Sequence, residues 1–341
     1  MEFYRKVLEV LDRERPAALL VVVAAAGSTP QRIGAKALVD EQGRLLAGTI
    51  GGGLMESKAL AHGVDALRTG EAKLFDFAMD EPYARDAGPI CGGTMQILAA
   101  PCRPDDGPTY RQVMAAAKAR QRGLLLTVIS GPEVGRTSWL SADELARPAA
   151  AEKFAPFLGK GNPQPGQLPL ALTKAQPDRQ WFVEPMSPPP RMLIVGGGHV
   201  GQAVAQSATW LDFEVTVLDN RPAFAQAERF PAGTKVICGP IRTEVERFEK
   251  ETDTFIVLVS MGHKPDAEAL EGCIHSKPAY IGMIGSRRKV ALLRNHFLEL
   301  GLATEQEFAR VHAPIGLDIG AVTVEEIATS IMAQVVAIRR Q

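Results

Sequence analysis

The chain has 341 residues, 46% hydrophobic and 23% charged, a size and balance that leave room for two domains, each with its own core. A formal net charge of −1 lacks the basic excess expected of a general nucleic-acid binder. The longest apolar run, Ala17 to Ala26, is about half the roughly 20 residues that a membrane span needs, and the charged stretch Met1 to Pro16 lacks the apolar centre of a signal peptide.

Apolar residues Phe3, Val7, Leu8 and Leu11 recur at helical spacing, which predicts a first helix over Glu2 to Arg13. Ala18 to Ala26 is a continuous apolar run and reads as a buried strand, followed by the loop Gly27-Ser-Thr-Pro30. Short strands are expected at Ala35 to Asp40 and Arg44 to Ile50, turning at Gly43. Gly51-Gly52-Gly53 then opens a helix from about Leu54 to Arg68, with Gly70 placed as its C-terminal cap. Further strands are predicted at Lys73 to Phe77, Thr94 to Ala99 and Leu124 to Ile129, with a helix over Tyr110 to Arg120. Residues 1–135 therefore form a mixed α/β domain. Residues 136–190 have weak periodicity and end in the proline-rich Met186-Ser-Pro-Pro-Pro190, which reads as a linker.

From Arg191 the pattern changes. Strand-like runs at Met192–Val195, Glu214–Leu218, Lys235–Cys238, Thr254–Ser260 and Ala279–Ile284 alternate with helical ones. Such alternation implies a doubly wound parallel sheet over residues 191–341. The last helix, about Val324 to Arg339, begins with a capping box, Thr323 and Glu326.

The run Met192-Leu-Ile-Val-Gly196-Gly-Gly198-His199-Val-Gly201 fits G-x-G-x-x-G between a strand and a helix. Gly196 would make the tight turn, Gly198 admit a pyrophosphate, and Gly201 let the helix pack on the sheet. The helix N-terminus would face the anion, and His199 is placed to hydrogen-bond a ligand. Asp219, ending the second strand 23 residues after Gly196, stands where an acidic residue holds a ribose hydroxyl. It would repel a 2′-phosphate and so favours NAD over NADP, although Arg221 lies two residues on; S-adenosylmethionine or another nucleotide suits the same geometry. A second cluster, Gly285-Ser286-Arg287-Arg288-Lys289, combines a carboxyl-edge loop, an N-cap serine and basic residues, and suggests an anion site. His263, after the fourth strand, lies at the same edge.

Several runs together resemble the XdhC/CoxI (CoxF) family, accessory factors of xanthine dehydrogenase and related molybdenum hydroxylases. They are Gly27-Ser-Thr-Pro-Gln-Arg-Ile-Gly34-Ala-Lys36, Gly48-Thr-Ile-Gly-Gly-Gly53 with Glu56, and Cys91-Gly-Gly93. In the second half they are Gly196-Gly-Gly-His-Val200, Asp219-Asn-Arg221-Pro222, Ile281 to Lys289, and His312-Ala-Pro-Ile-Gly-Leu-Asp-Ile-Gly320. The resemblance implies a factor that binds molybdenum cofactor, holds it for sulfuration by a cysteine desulfurase, and inserts it into the apo-hydroxylase, without turnover of its own. An NAD-dependent oxidoreductase or an NAD-sensing module is the alternative.

For such a phosphorylated pterin, Gly51, Gly52 and Gly53 are the expected phosphate cradle, with Arg32 and Lys36 adding charge and Glu56 facing the same loop. Cys91, ahead of two glycines, is the expected metal ligand, whereas Cys102, Cys238 and Cys273 read as core residues. His312 and Asp318 bracket a loop that would contact ligand or fix the chain. Four cysteines without a C-x-x-C pair form no disulfide framework or structural zinc site, and a reducing cytoplasm is their expected setting. A homodimer is compatible with the sequence; membrane and nucleic-acid partners are not expected.

Overall fold

The computed structural model describes residues 1–78, 93–158, 164–168, 179–262 and 264–340. The chain divides into two compact units, Met1–Pro188 and Pro189–Gln341.

In the first unit, helix α1 (Glu2–Asp12) leads into β1 (Ala17–Ala26), β2 (Lys36–Asp40) and β3 (Leu45–Gly48). Helix α2 (Gly53–Thr69), β4 (Lys73–Ala78) and β5 (Thr94–Pro101) complete a five-stranded antiparallel sheet in the order β3-β2-β1-β5-β4. Central β1 is apolar throughout because both of its faces are covered. Ala18, Leu20 and Val22 pack under Ala59 and Ala66 of α2. Helix and sheet approach closely at Gly63, where a Cβ would lie 2.5 Å from Val39. The alternate residues Leu19, Val21 and Val23 meet Ile129 and Phe182 of a second sheet.

That second sheet contains the segment expected as a linker. After α3 (Gly107–Lys118), β6 (Gly123–Ser130) pairs antiparallel with both β7 (Thr137–Ser141) and β9 (Gln180–Met186), and β9 pairs with the two-residue β8 (Gly166–Gln167). Much of residues 136–190 thus belongs to the first unit's packing. Local periodicity is weak there because β9 finds its partner far upstream, with Leu124 facing Pro185.

The second unit is a six-stranded parallel sheet ordered β12-β11-β10-β13-β14-β15. Its strands are β10 (Arg191–Val195), β11 (Glu214–Asp219), β12 (Lys235–Cys238), β13 (Thr254–Leu258), β14 (Tyr280–Met283) and β15 (Val311–His312). In local terms the order is 3-2-1-4-5-6, the Rossmann arrangement, with its crossover between β10 and β13. Helices α4 (His199–Trp210) and α8 (Val324–Arg339) cover one face through Val204, Ala208, Ile331 and Val335. Helices α5 (Ile241–Arg247), α6 (Lys264–Glu271) and α7 (Arg287–Glu299) cover the other through Val245, Leu270 and Phe297. The capping box at α8 forms as expected: Thr323 Oγ1 accepts from the Glu326 N–H, and Glu326 accepts from the Thr323 N–H. Among the described residues no helix is long and apolar enough to cross a membrane.

Candidate functional site

The β10–α4 turn is built by three glycines with distinct surroundings. Gly196 has φ +117°, and a Cβ there would meet the Val259 carbonyl oxygen at 2.6 Å. A Cβ on Gly201 would overlap the Gly196 carbonyl, so α4 seats directly on the turn. Gly198 has open space where its Cβ would stand, leaving the N-terminus of α4 approachable. His199 begins that helix and is exposed.

Asp219 closes the turn from β11. It is 2% exposed, and both carboxylate oxygens are engaged. Oδ2 accepts from the Gly197 N–H at 2.8 Å and Arg221 Nη2 at 2.8 Å; Oδ1 accepts from the Arg221 N–H and Nε, each at 2.9 Å. Burial alone would raise its pKa, but the bonds from the Arg221 side chain and backbone and from Gly197 outweigh it and hold the carboxyl below its usual range. Arg221 lies over the Phe224 ring at 3.9 Å, and Arg229 approaches the same ring at 5.0 Å. The acid expected to meet a ribose is therefore already bonded within the protein. Neither Phe224 nor Arg229 carried a sequence signal, because nothing in their spacing marks them as neighbours of Gly197.

The glycine loop of the first unit is closed in the same way. Gly51, Gly52 and Gly53 have φ of +131°, +74° and +63°, conformations that favour glycine. Glu56 Oε2 accepts from Thr49 Oγ1 at 2.5 Å and from the Ile50 N–H at 2.7 Å. Burial works to raise its pKa, yet bonds from Thr49, Ile50, Gly52 and Gly51 bring it below 4.5. The loop expected to cradle a foreign anion thus holds a carboxylate of its own. Lys36 turns inward, pairing with Glu184 and donating to the Gly34 carbonyl at 2.9 Å. Arg32 stays exposed.

At the end of β14, Ser286 caps α7 by accepting from the Lys289 N–H, and Arg287 and Arg288 are exposed. Gly285 adjoins the Lys289 side chain, which points into the protein. Lys289 Nζ meets Asp266 Oδ2 at 2.5 Å and the Gly262 carbonyl at 3.0 Å. Asp266, 0% exposed, also accepts from the Ser260 hydroxyl and from the Ser260 N–H at 3.2 Å. This network joins the carboxyl ends of β13 and β14, and sequence reading missed Asp266 altogether. Its signal was an acid in the first turn of a helix leaving a carboxyl edge. Beside it, α5, α6 and α7 line a groove of about 1120 Å³.

His312 stacks on Tyr280 at 4.9 Å, and burial lowers its pKa. Asp318 is exposed. Cys91 and His263 lie outside the described residues. Burial pushes the Cys102 and Cys273 thiols up to about 12, so both stay protonated at neutral pH. Cys238, expected in the core, is instead exposed: it ends β12, an edge strand, in register with Asp219. Among the described residues no group of three or more His, Cys, Asp or Glu is placed to hold a metal ion.

A parallel sheet with this glycine turn, in one chain with an antiparallel domain that carries a second glycine loop, defines a two-domain Rossmann protein. Residues 192–335 match the XdhC Rossmann domain, and residues 10–78 match the XdhC and CoxI family. The chain belongs to the XdhC and CoxI family. It is 26% identical over 340 residues to Escherichia coli YqeB, of whose length it spans 46%. It is 22% identical to a Bacillus subtilis protein named as a probable xanthine dehydrogenase component, covering 99% of this chain and 98% of that one. It is 23% identical to the Escherichia coli molybdenum cofactor insertion chaperone PaoD, covering 98% of this chain and 87% of that protein. The fold matches a Bacillus halodurans crystal structure described as a xanthine dehydrogenase, with a TM-score of 0.75 at 20% identity, over 98% of this chain and 96% of that one.

Proposed function

We propose that this protein is an accessory factor that binds molybdenum cofactor, holds it for sulfuration by a cysteine desulfurase, and inserts it into xanthine dehydrogenase or a related molybdenum hydroxylase. The observation that carries the reading is that the likeness to PaoD, named a molybdenum cofactor insertion chaperone, runs through nearly the whole chain. Both family matches support it.

The residues present fit such a cargo in a particular way. A phosphorylated pterin needs backbone N–H donors and positive charge at its phosphate. The Gly51–Gly53 loop has the backbone for this, provided Glu56 yields its place to the phosphate. The α4 N-terminus is open at Gly198, with Arg221 and Arg229 nearby. The exposed Ser286, Arg287 and Arg288 offer a second basic approach in the Rossmann unit. Cys91 is proposed as the group that meets the metal; the buried thiols of Cys102 and Cys273 are poorly suited to do so.

The test is the molybdenum and pterin content of the full chain purified from cells that make the cofactor. Reproducible molybdenum with an equal amount of pterin is expected, with the metal lost in Cys91→Ala. Metal retained in that variant would keep the function and remove Cys91 from it. Protein free of both molybdenum and pterin would sink the reading.

A further inference from the structure

The acidic residue at the end of β11 is the feature that usually selects a ribose diol, and here it is unavailable to a ligand. Each Asp219 oxygen already accepts two hydrogen bonds, and the side chain is buried against the turn. A ribose hydroxyl could bind it only by displacing Arg221. Beside it, two guanidinium groups lie within 5.0 Å of the Phe224 ring centre. One carboxylate against two arginines leaves positive charge beside the α4 N-terminus, where the helix dipole adds to it.

Arg229 is under-bonded. Its Nη2 reaches the Gly197 carbonyl at 3.4 Å, and its Nε is buried with no hydrogen-bond partner among the described residues. A buried donor without an acceptor calls for one. A phosphate monoester supplies the right kind, because its oxygens match the planar fork of a guanidinium. Phe224, faced by both cations, holds the two guanidinium groups together beside the turn.

We infer that the β10–α4 turn takes a nucleotide with a phosphate monoester on its ribose, such as the 2′-phosphate of NADP, in preference to a bare ribose diol. Arg229 and Arg221 set this preference. Arg221 acts twice, as a ligand group and as the cation that keeps Asp219 occupied. This assignment gives the turn to a nucleotide rather than to the pterin phosphate, and leaves the Gly51–Gly53 loop and the Ser286–Arg288 cluster for the cargo of the proposed function.

Calorimetry on the full chain, purified from cells that cannot make molybdenum cofactor, compares 2′,5′-ADP with 5′-AMP, which differ only in the 2′-phosphate. The 2′-phosphorylated nucleotide should bind about tenfold more tightly, with the advantage shrinking as salt rises. Arg229→Gln should cut the preference to about threefold or less, and Arg229→Lys should keep part of it. Arg221→Gln frees Asp219 and should move the preference toward 5′-AMP. Equal or tighter binding of 5′-AMP by the unaltered protein, or no binding of either at millimolar concentration, would overturn the inference. So would a preference unchanged in both glutamine variants. A pterin phosphate binding more tightly than 2′,5′-ADP would give the turn to the pterin and refute the nucleotide assignment.

Discussion

Replacing Asp266 by alanine removes the only carboxylate placed on Lys289 among the described residues. The acid is 0% exposed and accepts from Lys289 Nζ at 2.5 Å and from the Ser260 N–H at 3.2 Å, as well as from the Ser260 hydroxyl. Without it, Lys289 keeps only the Gly262 and Ile284 carbonyls, at 3.0 and 3.4 Å, and Ser260 loses its acceptor. Removing one member of a buried ion pair costs about 3–5 kcal/mol. The Lys289 side chain is 25% exposed, so water relieves part of the loss and the lower end applies. About 3 kcal/mol corresponds to a loss of amide protection on the order of 10²-fold. Hydrogen exchange followed by mass spectrometry on peptides covering β13 and β14 reads that change directly. The variant Asp266→Ala/Lys289→Met should recover part of it, because the stranded charge is gone. Protection of the single variant within a factor of about 2 of the unaltered protein, or a double variant as damaged as the sum of the singles, would refute a stabilising role for this pair.

Three further outcomes follow from the geometry. Gly201→Ala drives a methyl group into the Gly196 carbonyl, so it should destabilise the Rossmann unit by about 1–3 kcal/mol and shift α4 away from the turn; an unchanged melting temperature would contradict that packing. Glu56 has a folded-state pKa below 4.5, so its contribution is complete above that pH and is lost as pH falls through the lowered value. Melting curves from pH 7 to 3 should therefore fall more steeply for the unaltered protein than for Glu56→Gln, and parallel slopes would dismiss the carboxylate's role. Maleimide labelling of the folded chain should modify Cys238 well before Cys102 or Cys273, since only Cys238 of the three is exposed; early loss of Cys273 would place that thiol wrongly.

The parallel sheet was readable in the sequence because its βαβ units are local. Each strand is a short apolar run followed by a helix, and five of the six lay within a residue or two of their expected ends. The sixth, Val311–His312, is too short to carry a period. β7 and β9 were missed for a different reason. They are defined by partners rather than by local pattern, and Pro185 interrupts the apolar run of β9. At the site, glycine spacing located both loops, since backbone shape follows from residue type at fixed offsets. What filled those loops did not follow. That Asp219 faces Gly197 and Arg221, that Glu56 folds back on Ile50, and that Lys36 reaches Glu184 are facts of side-chain direction, which spacing leaves undetermined.

The position of β10 has a consequence during synthesis. It is the first strand of its unit to leave the ribosome, yet it lies inside the sheet, between β11 and β13. Arg191 pairs with Glu214 on one side and with Thr254 on the other. The nascent chain can assemble β12-β11-β10 early, but the far edge of β10, counted from its own emergence, must wait for a strand encoded about 60 residues later. At translation rates of roughly 5–20 residues per second the wait is about 3–12 s. Throughout it, Met192 to Val195 present an apolar strand edge, the kind of surface that pairs with other chains. Slowing translation between β12 and β13 should therefore lower the yield of folded protein more than slowing it after β14.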